Sequence, residues 1–372
     1  MSGVPVIDLF SGAGGLGIGA KTAGGDLRLS VDNDAYSCAT MRANPKLHGG
    51  LVLQGDVTTL HGNKLRDFAK VDDTSDLIVV GGAPCQPFSK AAYWVDKGDE
   101  AAFRRARARG EAVERVSEPL EARPDSRRTL VSEFLRLTLE ADASAFVFEN
   151  VPSILHPRNR AIFEALREDA EDAGYLTRTV VATATDYGAP QARQRVFLLG
   201  SRRQQPGLPV ATHARDGADS LIPWVTAGQA LSSLPDQSSV AEDEVIKGRW
   251  ADHLRDVPPG MNYKFHTAWA GHPEPTFETE TRYWNFLLKL DPNRPSWTIP
   301  ASPGPWTGPF HWDGRRLRIA ELAALQSFPT GYEFAGPRRE QVRQIGNAVP
   351  SVMAAAMVRE VLKSVDTEVG KI

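Results

Sequence analysis

Only two cysteines, Cys38 and Cys85, occur in 372 residues. That excludes a disulfide framework and makes a reducing compartment, the cytoplasm, the expected location. No apolar run approaches the roughly 18 residues that span a bilayer, and Met1 to Val6 lack a basic leader, so neither a membrane segment nor a signal peptide is expected. The eight histidines show no metal-ligand spacing, and no metal site is expected. Positive charge is not in excess either. The 43 Lys and Arg against 46 Asp and Glu leave a net charge of -3, so a nucleic-acid site must come from local clustering of basic side chains. What remains, 24% charged and 41% hydrophobic residues, is the composition of an ordinary globular enzyme, long enough for two domains.

The first half alternates strand-like and helix-like segments, the pattern of a parallel sheet with crossover helices. Val4 to Phe10 reads as a strand that runs into Ser11-Gly12-Ala13-Gly14-Gly15, a turn open to close backbone approach by a ligand. Further strands are expected at Leu27–Val31, Leu51–Gln54, Leu77–Val80 and Ala145–Phe148. Asp8, Asp32, Asp56, Cys85 and Glu149 all fall at or near the carboxyl ends of these strands, the edge where ligands sit in a doubly wound sheet. Any one acid there is as readily a turn or helix cap, but five in register are hard to attribute to turns. The interval from the glycine turn to Asp32 suits a carboxylate that takes ribose hydroxyls.

Cys85 stands between prolines in Gly81-Gly82-Ala83-Pro84-Cys85-Gln86-Pro87-Phe88-Ser89. Pro84 and Pro87 bias Ala83 and Gln86 toward extended backbone, which places the thiol on a stiffened loop at a strand end. Free cysteines are more often small buried hydrophobes, yet core packing has no use for flanking prolines, and a nucleophile is the stronger reading. The Lys90 to Arg128 stretch is polar and arginine-rich, either a solvated excursion or a lid over DNA. Beyond it, helices are expected at Thr129–Glu140, near Arg160–Ala173, at Leu317–Phe328 and at Ser351–Ser364. Arg193 and Arg195 alternate in Gln191-Ala192-Arg193-Gln194-Arg195 and so point to one side of an extended chain. If the strand that follows is antiparallel, both guanidiniums reach the edge that carries Cys85 and Glu149. From Ser201 to about Arg315 the chain is rich in proline, glycine and tryptophan, with little periodicity.

In this order the motifs resemble the DNA (cytosine-5) methyltransferases over nearly the whole length. Asp8 to Gly15 is similar to the family's cofactor loop and Pro84 to Ser89 to its nucleophile loop. Glu149-Asn150-Val151 resembles the base-binding acid, and Gln191 to Arg195 the paired-arginine motif. Leu325 to Pro329 and Gln344 to Pro350 resemble the two C-terminal motifs. The resemblance implies an α/β, doubly wound Rossmann-like methyltransferase fold. It implies a discontinuous catalytic domain, residues 1–200 plus 340–372, a target-recognition domain at 201–315 and a hinge with connecting helix at 316–339.

It also implies an activity: transfer of a methyl group from S-adenosylmethionine to C5 of a flipped-out cytosine in a specific duplex sequence. Cys85 would add to C6, Glu149 would act as a protonated donor to the base, and Arg195 with Arg193 would hold the base and favour thiolate. Phe10, Gly12, Ala13, Gly15, Asp32, Asn33, Asp56, Val57, Pro84, Leu130, Asn347 and Ala348 would hold the cofactor, and S-adenosylhomocysteine would be released. Gln86, Ser89 and Lys90 would meet the DNA. Implied partners are double-stranded DNA and a cognate restriction endonuclease, for a monomer that uses no metal.

Three departures stand out. Ala92 takes a place often held by glycine after the nucleophile loop. The Lys90–Arg123 excursion separates that loop from Asp125-Ser126-Arg127. Ala320 precedes Glu321 where an arginine is common, which predicts the loss of one ion pair at the domain junction. The competing readings are an RNA cytosine-5 methyltransferase, a catalytically silent DNA-binding regulator and a nicotinamide oxidoreductase. The last leaves the proline-flanked cysteine and the C-terminal motifs unexplained.

Overall fold

The structure is a computed structural model and describes residues 3–88, 125–235, 239–279 and 282–366. The first stretch of chain gives β1 (Pro5–Leu9), α1 (Gly15–Thr22), β2 (Asp26–Asp32), α2 (Ala35–Ala43), β3 (Leu51–Gln54), α3 (Gly62–Ala69) and β4 (Ile78–Gly81). After the Cys85 loop come α4 (Leu130–Glu140), β5 (Ala145–Asn150), α5 (Pro157–Asp172), β6 (Leu176–Thr183), β7 (Gln191–Ala192) and β8 (Gln194–Ser201). Seven of these strands form one sheet in the order β3-β2-β1-β4-β5-β8-β6.

Every residue of β4 and β5 is buried, as unbroken apolar runs covered on both faces should be. The alternation of side chains divides them between two cores. Ile7, Leu9, Val79, Phe146 and Phe148 face α3, α4 and α5, while Val6, Ile78, Val80, Val147 and Phe197 face α1 and the C-terminal helix. The sheet is therefore doubly wound, as expected. The order reverses between β1 and β4, which opens a crevice at their carboxyl ends. β8 runs antiparallel to β5, with Glu149 opposite Phe197 and Asn150 opposite Val196, so its start lies at that same edge.

Residues 201–315 hold only short elements among those described: β9 (His213–Ala214), β10 (Ile222–Pro223), α6 (Ala227–Ser232), α7 (Ala251–Asp256) and β11 (Ser296–Trp297), with single turns of 3-10 helix. They have a core of their own, where Leu254, Tyr263, Phe277, Phe286 and Phe310 pack together. β11 pairs with β7, Trp297 opposite Ala192.

The chain then returns through α8 (Ile319–Leu325), α9 (Arg338–Asn347) and α10 (Ser351–Val365). The expected helix at Leu317–Phe328 is shorter, because Ser327 takes a positive φ of 60° and ends it. α9 was legible only as a motif. Its apolar positions are few, and its buried residues, Gln344, Ile345 and Gly346, lie in its last turn. By length and composition alone the Arg338–Val365 stretch could cross a bilayer, but 72% of its most apolar window is buried inside the protein, with Met353, Met357, Val358 and Val361 packed on the sheet.

The ion pair expected to be missing beside Ala320 is supplied from upstream. Arg315 grips the buried Glu321 carboxylate with two bonds of 2.8 and 2.6 Å. Arg318 N donates to Glu321 Oε2 at 2.7 Å, while the Arg318 guanidinium pairs with Glu244. A bidentate arginine on a carboxylate this buried fixes the junction geometrically.

Candidate active site

The two glycine-to-strand turns and the returning C-terminus enclose a cavity of about 610 Å³ at the sheet edge, a size suited to a cofactor-scale ligand. Phe10, Gly12, Gly15, Asp32 and Asn33 line it from β1 and β2, and Asp56 and Val57 from the end of β3. Pro84, Cys85, Gln86 and Glu149 line it from β4 and β5, and Leu130, Arg195, Asn347 and Ala348 complete the wall. Two expected site residues are turned away. Ala13 is buried in the junction core, where its carbonyl accepts from Tyr332 Oη at 2.7 Å. Arg193 is taken up below. Ser89, Lys90 and the Lys90–Arg123 excursion, with Ala92, lie outside the described residues.

At one end of the cavity, Asp32 Oδ2 accepts from Gly12 N and Oδ1 from Asp34 N, both at 2.8 Å. Phe10 makes the turn at a positive φ of 56°, a strained setting for a residue with a side chain. Gly15 must be glycine for packing. A Cβ there would sit 2.3 Å from Val349 O, so the C-terminal segment lies directly on the first turn. Asp56 caps the turn after β3 by accepting from Thr58 N at 2.9 Å, the cap reading that any such acid carries, while still facing the cavity.

At the other end, Glu149 Oε1 and Arg195 Nε meet at 2.7 Å, with only 10% and 9% of their side chains exposed. Burial pushes the Glu149 carboxyl above the ordinary range, more strongly than Arg195 and Arg193 pull it down. Gly82 makes the approach possible, since a Cβ on it would lie 2.6 Å from Glu149 Oε2. The loop carrying Cys85 is held from three sides. Asn150 Nδ2 donates to Ala83 O at 3.2 Å, Ser153 Oγ to Phe88 O at 2.5 Å and Arg128 Nη1 to Pro87 O at 3.2 Å. Gln86, expected to be extended before Pro87, instead opens a 3-10 turn, Gln86–Phe88, closed by Phe88 N to Cys85 O at 3.0 Å.

The expectation that the arginines favour thiolate is met only in sign. Arg195 and Arg193 both draw the Cys85 thiol down, but burial raises it further and prevails. Arg193 itself is wholly buried. Its Nη2 donates to Gly346 O at 2.9 Å and Asn347 O at 3.4 Å, its Nε finds no partner among the described residues, and burial pulls it down to about 9. It braces the end of α9 and does not line the cavity. Alternation sends both guanidiniums to one side, but it does not say how deep each goes. Sequence reasoning missed Arg127, Arg343 and Gln344, which also line the cavity. Arg343 and Gln344 sit on α9 just ahead of Asn347, which was the signal for them.

A mostly parallel sheet with a glycine turn and a suitably spaced acid at one end of its crevice, and a cysteine, a buried acid and an arginine at the other, defines an α/β group-transfer enzyme. The chain belongs to the C-5 cytosine-specific DNA methylase family, whose family model matches residues 4–109 and 117–363. It is 34% identical to the type II methyltransferase M.SacI of Streptomyces achromogenes, over 97% of this chain and 93% of that protein. It is 31% identical to M.NgoFVII of Neisseria gonorrhoeae, over 96% and 86%. Among solved structures, a putative DNA modification methyltransferase encoded within an E. coli prophage superposes with a TM-score of 0.66 at 23% identity, covering 97% of this chain and 99% of that one. Entamoeba histolytica EhMeth does so with a TM-score of 0.61 at 12% identity, covering 98% and 100%. These likenesses establish the Rossmann-like methyltransferase fold.

Proposed function

We propose that this chain methylates C5 of a cytosine flipped out of a specific duplex sequence, through a covalent bond between Cys85 Sγ and C6. The observation that carries the reading is the meeting of Cys85, Glu149 and Arg195 at one end of a cavity whose other end is lined by the glycine turn and Asp32. Family membership supports DNA cytosine as the substrate. The type II names of the relatives support a modification role beside an endonuclease.

The cofactor end suits S-adenosylmethionine. A Cβ on Gly12 would meet nothing within 4 Å, so its backbone faces open space, and Asp32 keeps lone pairs for hydroxyls beyond its two backbone bonds. Phe10, Asp32, Asp56 and Val57 would hold the adenosine, with Gly12, Asn347 and Ala348 toward the methionine. Bound there, S-adenosylmethionine supplies an electrophilic methyl group to C5 and is left as S-adenosylhomocysteine.

The residues of the chain do the rest. Cys85 releases its proton to solvent as Sγ bonds to C6, which makes C5 nucleophilic. Charge that builds toward N3 is met by the proton of Glu149, held on that carboxyl by burial. Arg195 fixes the orientation of Glu149 and can donate to the base carbonyl. Loss of the C5 proton to solvent then expels the Cys85 thiolate and returns the N3 proton to Glu149. A ring face cannot be attacked inside the stack, so the base must leave the duplex. We assign residues 201–315 to target recognition, supported by their separate core beside β7.

The test is a duplex carrying 5-fluorocytosine at the target, where fluorine blocks the final elimination. A denaturation-stable adduct is expected with wild-type protein and cofactor and is absent with Cys85→Ala. An equally stable adduct with Cys85→Ala would show the nucleophile to be misassigned.

A further inference from the structure

Arg343, on α9, reaches across the cofactor end of the cavity. Its Nη2 lies 2.9 Å from Asp34 Oδ2, and its Nε is held by Glu340 Oε2 at 2.6 Å. Asp34 caps α2 by accepting from Ser37 N at 2.8 Å. Its own N–H donates to Asp32, which in turn accepts from Gly12. One run of polar contacts therefore leads from the C-terminal segment to the glycine turn through the acid placed for the ribose. Asp32, Asp34 and Arg343 all line the cavity.

We propose that Arg343 is a positioning residue for the cofactor: its ion pair with Asp34 is a latch that holds a positive charge at the ribose edge beside Asp32. The inference rests on the reading of this end as the S-adenosylmethionine site. The latch is not what docks the helix. Thr40 Oγ1 donates to Gln344 Oε1 at 2.6 Å and Gln344 Nε2 to Ala335 O at 2.9 Å, and Gln344 is buried, so α9 stays in place when Arg343 is changed.

What the latch supplies is charge. Burial pushes Asp32 above the usual carboxylate range, and neighbouring Asp34 pushes the same way. The N–H groups of Asp34 and Gly12 pull it down, and the Arg343 guanidinium adds a smaller pull in the same direction. The other titratable groups that feel Asp32 are Asp8 from β1 and Cys38 from α2, and neither brings positive charge. An ionised Asp32 accepts from ribose hydroxyls better than a protonated one. Without Arg343 its pKa rises further, so affinity falls at a higher pH on acidification than in the wild type.

Calorimetric titration with S-adenosylhomocysteine tests this in wild type, Arg343→Gln, Arg343→Lys and Asp32→Asn. For Arg343→Gln we expect about fivefold weaker binding than wild type near pH 8, with the gap widening at lower pH. Arg343→Lys keeps the charge and should stay within about threefold of wild type at both. Unchanged affinity in Arg343→Gln, or a loss independent of pH, overturns the latch. A wild-type chain that fails to bind S-adenosylhomocysteine overturns the cofactor reading and the latch with it. A wild type that binds, with Asp32→Asn weakened and Arg343→Gln not, overturns the latch alone.

Discussion

Two carboxylates end two strands at opposite ends of one cavity, and their neighbours give them different work. Asp32 accepts two backbone N–H bonds and lies under the influence of Arg343. Glu149 meets Arg195 at 2.7 Å, with Gly82 closing on its other oxygen. Burial raises both, but fixed backbone donors favour the charged form of Asp32 in a way Glu149 does not share. In the proposed reaction the first carboxylate accepts from hydroxyls, and the second keeps a proton it can give away. Titratable groups of one kind acquire opposite roles from their surroundings in this way.

The pair of substitutions Glu149→Gln and Asp32→Asn probes that contrast most strongly. Glu149→Gln keeps the shape and the arginine contact but removes the transferable proton, and should lower kcat by about 10²–10³ while S-adenosylhomocysteine affinity stays within about twofold of wild type. Asp32→Asn should do the reverse, weakening the cofactor far more than it slows saturated turnover. The pH profile sharpens the point. If Glu149 acts protonated, as proposed, its contribution to kcat/KM is complete below its raised pKa and fades as pH climbs through it. Glu149→Gln should lose that falling limb. If the two variants prove interchangeable in rate and affinity, the division of labour is wrong.

Arg193 and Arg195, two residues apart, extend the comparison at a smaller scale. Arg195→Met leaves Glu149 without its partner and should cost about 10²-fold in kcat, with cofactor affinity unaffected. Arg193→Met leaves Gly346 and Asn347 carbonyls without that donor and loosens the wall formed by Asn347 and Ala348. We expect S-adenosylhomocysteine to bind about tenfold more weakly, with kcat at saturation within about threefold. The global stability change should be slight, since relief from burying a guanidinium offsets the lost bonds. Equal rate losses in the two variants would return Arg193 to the reacting groups.

The sheet edge was legible because strand periodicity fixes which way each side chain leaves the backbone, and because Asp32, Asp56, Cys85 and Glu149 reach the cavity from the ends of their strands; Asp8 does not, since it lies level with Ser30 and Val80, buried beneath the glycine turn where it accepts from Gly17 N. Even the antiparallel β8 could be posed as a condition, and it holds. The failures share one physical cause. The depth of Arg193, the outward turn of Ala13 and the placement of Arg343 depend on contacts between segments hundreds of residues apart, as in the tie from Thr40 to Gln344. The Arg315–Glu321 pair shows the same limit, because a local motif read at Ala320 could not reveal a substitute five residues upstream. Residues 201–315 were unreadable in detail because turns and clustered rings, not a period, hold them.

The smallest effect on the cavity is expected from that irregular region, and it sharpens the comparison by locating its outer limit. Phe277 is buried, and its ring lies 5.0 Å from Trp250, 5.7 Å from Phe286 and 5.8 Å from Tyr263, centroid to centroid. Phe277→Ala removes the ring that joins these three and should destabilise the region by about 3–5 kcal/mol. None of these four residues belongs to the two cores that flank the sheet. Loosening them should therefore weaken duplex binding markedly while S-adenosylhomocysteine affinity changes by less than about twofold, because distant sites without shared partners act independently. Parallel titrations of the variant with duplex and with S-adenosylhomocysteine decide it. Equal losses in both would mean that residues 201–315 and the cavity share one cooperative unit, and the contrast between the two carboxylates would then extend through the whole chain.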